Sequence, residues 1–300
     1  MIAFGCAITD NETYRRCAEP GIRRAAEADS LILANSSAGS LFRNYNLILD
    51  QVRDREDLEA LVLVHQDAEI VDADLPAILR RSFSDPDVAI VGCVGAVGVR
   101  NIAWWSGSVT WAGFTHRYRE FGGGEVPGVT WDPESIPPYA ETGEVDSLDG
   151  YVLALSPWAV RELRFDESLG LLHGYDLDIC LQARAAGRKV RTEDFRVIHH
   201  HSLELISNVE TWVEAHIRVA EKWDGKVPGI GTAPGDWKER ARRAEAEAGA
   251  AHMLAQQHEI IGHARSVHME REIEEIRSST SWKLTEPLRR LGRRLRGRHA

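Results

Sequence analysis

Cysteine is scarce in this 300-residue chain, and no two of its four cysteines form a Cys-x-x-Cys pair. That excludes a zinc knuckle or a disulfide framework and leaves Cys6, Cys17, Cys93 and Cys180 as small apolar packing residues. A long hydrophobic run is also missing. The longest nearly apolar stretch, Val88 to Val99, is twelve residues broken by three glycines, too short to span a bilayer. No basic segment precedes the apolar start Met1-Ile2-Ala3-Phe4, so no secretory signal is expected and the expected location is cytoplasmic. Without a His-Glu-x-x-His sequence, a zinc hydrolase built on the histidines is disfavoured. Positive charge is short over most of the chain as well. Residues 1–235 carry a net −14 against +4 for residues 236–300, and so acidic a body excludes nucleic acid as the expected partner.

What is present suffices for a full core, since 43% of residues are hydrophobic. Strand-like runs at Ile2 to Ile8, Ser30 to Ala34, Leu61 to Val64, Val88 to Val94, Gly150 to Leu155 and Lys189 to Ile198 alternate with helical spacing. The helical segments are Glu12 to Ala28 (interrupted at Pro20-Gly21), Asn44 to Val52, Leu75 to Phe83, Trp158 to Leu163, Tyr175 to Ala186 and Glu210 to Trp223. This alternation predicts an α/β fold, a mainly parallel sheet with helices on both faces. Such sheets bind ligands at the carboxyl ends of their strands, where Thr9, Asn35 and His65 to Asp67 fall. Between Asn101 and Asp146, four tryptophans, Trp104, Trp105, Trp111 and Trp131, are scattered among glycines and prolines. That stretch reads as long loops and a hairpin over one face, either a binding surface or a satellite hydrophobic cluster.

Three segments divide the chain: a catalytic-type domain over 1–224, a Gly/Pro linker over 225–235, and a C-terminal helical extension over 236–300. The linker has four glycines and two prolines in eleven residues. The helix that follows carries an apolar stripe at Ile260, Ile261, Val267, Ile273 and Ile276, through which a homo-oligomer could form. Its end, residues 281–300, sets leucines against a row of arginines. That pattern suits an anionic membrane surface, making the protein peripheral on the cytoplasmic face, and equally suits a protein partner.

Chemistry concentrates in three places. His65-Gln66-Asp67 leaves a buried strand; it either helps hold a divalent cation and a phosphate or simply bonds loop backbone. Asp176 and Asp178 open a helix, where anions are stabilised by the helix dipole. Two residues apart they project about 200° apart around the axis, so they cannot both enter one cleft; one could be a general base. In a strand, the triplet His199-His200-His201 puts His199 and His201 on one side. If that strand lies in the same sheet as His65, the triplet completes a metal site.

Taken in order, these segments resemble the bacterial family 2 glycosyltransferases of GT-A fold over residues 1 to about 225. The features are an N-terminal nucleotide-binding half, Val64-His65-Gln66-Asp67 at the Asp-x-Asp position, Phe165-Asp166-Glu167, and Tyr175-Asp176-Leu177-Asp178-Ile179 opening a helix. That helix runs on to Arg184-Ala185-Ala186-Gly187, and Val197-Ile198-His199 follows. The chain departs from the pattern at His65, where the family has an acid, at Tyr175, where it has Glu, and at Ala34-Asn35-Ser36-Ser37, where Asp-x-Gly-Ser stands. Ser281 to Arg289 also resembles a segment near the ends of many bacterial glycosyltransferases.

The resemblance implies an inverting transfer of a sugar from a nucleotide-diphosphate donor to an acceptor hydroxyl, in cell-surface glycan or glycolipid assembly, with Mn2+ or Mg2+ as cofactor. The alternative is a non-catalytic sugar-nucleotide or glycan-binding protein on the same fold. On the catalytic reading Asp67, His199, His65 and His201 are the metal ligands, and Asp176, supported by Asp178, is the base. Thr9, Asn35, Asn46 and Gln66 line the donor site, and Asp149, Trp104 and Trp105 face the sugar or acceptor.

Overall fold

The computed structural model describes residues 1–36, 39–97, 99, 142–200, 208–224, 226 and 252–285; at 108–111, 114–118, 125–131, 201 and most of 238–251 it describes the backbone alone. Among these residues fourteen strands run in chain order: β1 (Ile2–Ile8), β2 (Leu31–Ser36), β3 (Ala60–Val64), β4 (Ala68–Ile70), β5 (Val88–Gly92), β6 (Val94–Val97), β7 (Ser108–Trp111), β8 (Phe114–Tyr118), β9 (Glu125–Trp131), β10 (Glu144–Val145), β11 (Ser147–Leu148), β12 (Val152–Leu155), β13 (Lys189–Thr192) and β14 (Val197–His201). The helices are α1 (Asn11–Arg16), α2 (Ala18–Ala25), α3 (Leu41–Val52), α4 (Leu75–Ser82), α5 (Pro157–Glu162), α6 (Tyr175–Ala185), α7 (Val209–Trp223), α8 (Lys238–Ser278) and α9 (Thr280–Leu284).

Seven strands form the central sheet in the order β10-β13-β5-β12-β3-β1-β2. The pairs β1–β2, β1–β3 and β5–β13 are parallel. β12 lies antiparallel between β3 and β5, and β10 is antiparallel at the edge. The sheet is therefore mainly parallel, as the alternation of elements predicts. Period-two alternation sorts its side chains to two cores. Leu61 and Leu63 of β3 face α3, α5 and α6, whereas Val62 and Val64 join Ile2, Phe4 and Cys6 of β1 under α2 and α4. All four cysteines are free and buried.

Several elements differ from the sequence reading, each for a local reason. The first helical region breaks at Cys17, not at Pro20-Gly21. Pro20 falls in the first turn of α2, where its missing N–H costs nothing. Gly21 sits so close to β4 that a Cβ there would strike the Ile70 backbone. The run Val88 to Val94 is two strands, because the chain leaves the central sheet at Cys93 and β6 enters a three-stranded sheet, β11-β6-β7. The run Lys189 to Ile198 is likewise two strands. β13 stays in the central sheet, while β14 joins a four-stranded sheet, β4-β14-β8-β9. The Trp-containing stretch is richer in strands than expected, with β8 and β9 forming an antiparallel hairpin; Trp104 and Trp105 lie outside the described residues.

α8, 41 residues long, packs against α7 and β9. Gln257 and Ala264 face the body, 7% and 0% exposed; of the expected stripe, Ile260, Ile261 and Val267 are half-buried and Ile273 and Ile276 exposed. Ser279 breaks the helix and caps α9, its hydroxyl accepting from Trp282 N. Residues 286–300, most of the basic tail, lie outside the described residues. Among the described residues no helix is long and apolar enough to cross a membrane.

Candidate active site

The site forms where β3 ends. Val64 is fully buried, and the chain then turns through His65-Gln66-Asp67 into β4, with Ala68 N donating to His65 O at 3.0 Å and His65 N donating to Tyr151 O at 2.9 Å. β14 pairs antiparallel with β4, opposite to the expectation that it continues the sheet of His65. The consequence is the same meeting by another route: His200 N donates to Asp67 O at 2.7 Å, and His199 is carried to the Asp67 carboxylate.

His199 Nε2 stands 3.5 Å and His65 Nδ1 3.9 Å from Asp67 Oδ1. One ligand atom from each residue lies within 4.8 Å of the others. Two imidazoles and one carboxylate form a donor set that a first-row divalent ion such as Mn2+ accepts, so the residues fit a metal site. Burial pushes the His65 imidazole down to about 4, which keeps it neutral and its lone pair free for a metal. The His199 ring stacks on Tyr151 at 4.8 Å. His200, alternating to the other face, bonds Glu69 at 3.0 Å, and Glu69 is in turn held by Arg24 of α2. His201 is described as backbone in β14 only.

The helix opening the second half of the site separates the two aspartates as the 3.6-residue period requires. Gly174, at φ 81°, turns the chain into α6. Asp176 stays at the cleft, its Oδ1 accepting from Leu177 N at 2.9 Å. Burial, helped by the nearby Asp149 carboxylate, pushes its carboxyl up to about 7. Asp149 is itself raised by burial. Asp178 points the other way and is 1% exposed. It accepts from Lys222 Nζ at 2.8 Å, Trp223 Nε1 at 2.7 Å and Gln182 Nε2 at 2.7 Å, so its ionic partner is a lysine of α7.

Gln66 closes the site from the β1 side. Its Oε1 accepts from Thr9 N and Asp10 N, both at 2.9 Å, and its Nε2 donates to Thr9 Oγ1 at 2.8 Å. Asn35 is level with Ala7 on the adjacent strand. Asn46 is placed elsewhere. Its amide clasps the backbone of Phe165, donating to the carbonyl at 2.8 Å and accepting from the N–H at 3.0 Å, on the wall of a pocket of about 600 Å3 that also includes Arg164 and Lys222. An amide engaged at both ends ties α3 to the Phe165 segment between α5 and α6.

Sequence reasoning missed two residues here, Tyr151 as the stacking partner of His199 and Tyr175 as a neighbour of His65. Tyr175 Oη lies 2.5 Å from His65 Nε2. Its position one residue before Asp176 was the available signal; the 110-residue separation from His65 hid the contact.

The streptomycin biosynthesis protein StrF of Streptomyces griseus is 28% identical over 224 residues, 73% of each chain. Among solved structures, the mannosyltransferase PcManGT of Pyrobaculum calidifontis, in complex with GDP-Man and Mn2+, aligns with 86% of this chain and 79% of its own at 12% identity and a TM-score of 0.46. GalNAc-T7 with UDP, GalNAc and Mn2+ aligns with 82% of this chain and 54% of its own at 13% identity and 0.49. The profile of the family described as "Glycosyltransferase like family" matches residues 3–220. The chain belongs to this glycosyltransferase family.

Proposed function

We propose that the protein transfers a glycosyl group, with inversion, from a nucleoside-diphosphate sugar to an acceptor hydroxyl. The observation that carries the reading is the meeting of His65, Asp67 and His199 with the start of α6: the Tyr175 hydroxyl touches His65, and Asp176 follows Tyr175 directly. His65, Asp67 and His199 would hold the cation. When bound, a divalent cation supplies positive charge beside the departing diphosphate.

The chain's own residues do the rest. Asp176, partly desolvated, is suited to accept the acceptor's hydroxyl proton. As that proton leaves, the acceptor oxygen bonds to the anomeric carbon, and the bond from that carbon to the diphosphate oxygen breaks. A carboxyl raised to about 7 is a stronger base than an ordinary aspartate, and near neutral pH a large fraction is still ionised. Asp149, beside Asp176, is suited to bond sugar or acceptor hydroxyls, and Thr9 and Asn35 border the donor side. Asp178 supports the helix, acting through its bonds to Lys222, Trp223 and Gln182.

A panel of nucleoside-diphosphate sugars, incubated with the protein and Mn2+, tests the reading by release of nucleoside diphosphate. Turnover of one donor that requires Asp176 supports it. Donors that raise the melting temperature yet are never turned over with any acceptor would favour the binding-protein alternative.

A further inference from the structure

His65 has two ring nitrogens with two different neighbours. Nδ1 faces Asp67 at 3.9 Å, beside His199, whereas Nε2 meets the hydroxyl of Tyr175 at 2.5 Å. We infer that Tyr175 is a positioning residue for the cation site: its hydroxyl fixes the His65 ring so that Nδ1 is offered to the cation, and it accepts a hydrogen bond from Nε2–H when the Nδ1 lone pair is given. The inference rests on the cation reading above and extends it to a residue outside the ligand set.

Three observations carry it. A neutral imidazole that gives one nitrogen to a metal carries its proton on the other, and that N–H needs an acceptor. Tyr175 Oη is the group at Nε2, and a hydroxyl can accept or donate, so it serves His65 both before and after a cation arrives. The tyrosine is also fixed in place. It is 6% exposed, and its ring packs against Phe42, Tyr45 and Phe165 at centroid distances of 6.1, 5.7 and 6.2 Å. Its hydroxyl rests on Gly150, where a Cβ would collide with it. A space-filling role alone needs only the ring, which phenylalanine would supply.

The test combines Mn2+ titration, read by electron paramagnetic resonance, of the wild-type protein, Tyr175→Phe and His65→Ala, with 15N NMR of the His65 ring in the Mg2+-saturated protein. Tyr175→Phe should bind Mn2+ about 10- to 100-fold more weakly with a nearly unchanged melting temperature. The wild-type His65 should carry its proton on Nε2. If Tyr175→Phe binds as wild type while His65→Ala is weakened, the inference is overturned and the cation reading stands. If His65→Ala also binds as wild type, the cation reading itself fails. Should Tyr175→Phe not fold, the wild-type spectrum decides: a proton on Nδ1 in the Mg2+-saturated protein overturns the inference.

Discussion

Asp176 and Asp178 are the same residue type two positions apart, and their surroundings give them opposite tasks. Burial, with the Asp149 carboxylate nearby, raises the proton affinity of Asp176; burial acts in the same direction on Asp178, but there a lysine, an indole and an amide bond the carboxylate and oppose it. Asp176→Asn keeps the shape without the basicity and should lower turnover about a hundredfold or more, with nucleotide binding measured by calorimetry unchanged. Because the base must be ionised and its pKa is raised to about 7, the wild-type rate should climb as pH rises through that value and then level. Asp176→Asn should lose that ascending limb; a limb retained in the variant would assign it to another group. Asp178→Ala should instead act on stability. It leaves Trp223 Nε1 without its buried acceptor, while Lys222 keeps Asp166 as partner; an unsatisfied buried donor costs about 1–3 kcal/mol, readable by denaturant unfolding.

At the scale of elements, the site depends on how closely three pieces of backbone approach. α2 lies on β4 because Gly21 presents no side chain to the Ile70 backbone. Gly21→Ala should push the helix off the strand and destabilise the fold by about 2 kcal/mol. It should also loosen the Arg24–Glu69–His200 network that backs the triad, an effect visible as faster amide exchange in β4 and β14. Gly150→Ala acts on the cleft side. Its methyl group would displace the Tyr175 hydroxyl, and Mn2+ affinity should fall along with turnover. Unaltered Mn2+ binding in that variant would mean that Tyr175 has room to yield.

For the whole molecule, the expectation is dependence on a divalent cation. Activity should fall on chelation and return most fully with Mn2+, since two imidazoles among the ligands favour it over Mg2+. Full activity in chelator would instead leave His65, Asp67 and His199 to contact phosphate or acceptor directly. Among the described residues α8 makes its main contacts with α7 and β9, and none of the three triad residues lies on α7, α8 or β9. A protein ending before Lys238 should therefore retain the metal affinity of the full chain if the first 224 residues fold alone, and Mn2+ titration of both forms measures this.

Composition and hydrophobic period fixed the alternation of strands and helices, and hence the mainly parallel sheet, because which faces must be buried is written in residue order. The candidate base and the His-Gln-Asp turn were also legible, since their chemistry lies within a few adjacent residues. Sheet membership was not. A strand-like run such as Lys189 to Ile198 satisfies the period of one strand or of two, and whether it stays in the central sheet or leaves it depends on partners distant in sequence. That choice brought His199 to Asp67 through the β4–β14 pairing, a ladder between segments about 130 residues apart. Only the tertiary structure likewise decided that Asn46 clasps Phe165 and that Tyr175 meets His65. Each is a contact between residues whose local sequence is equally compatible with its absence.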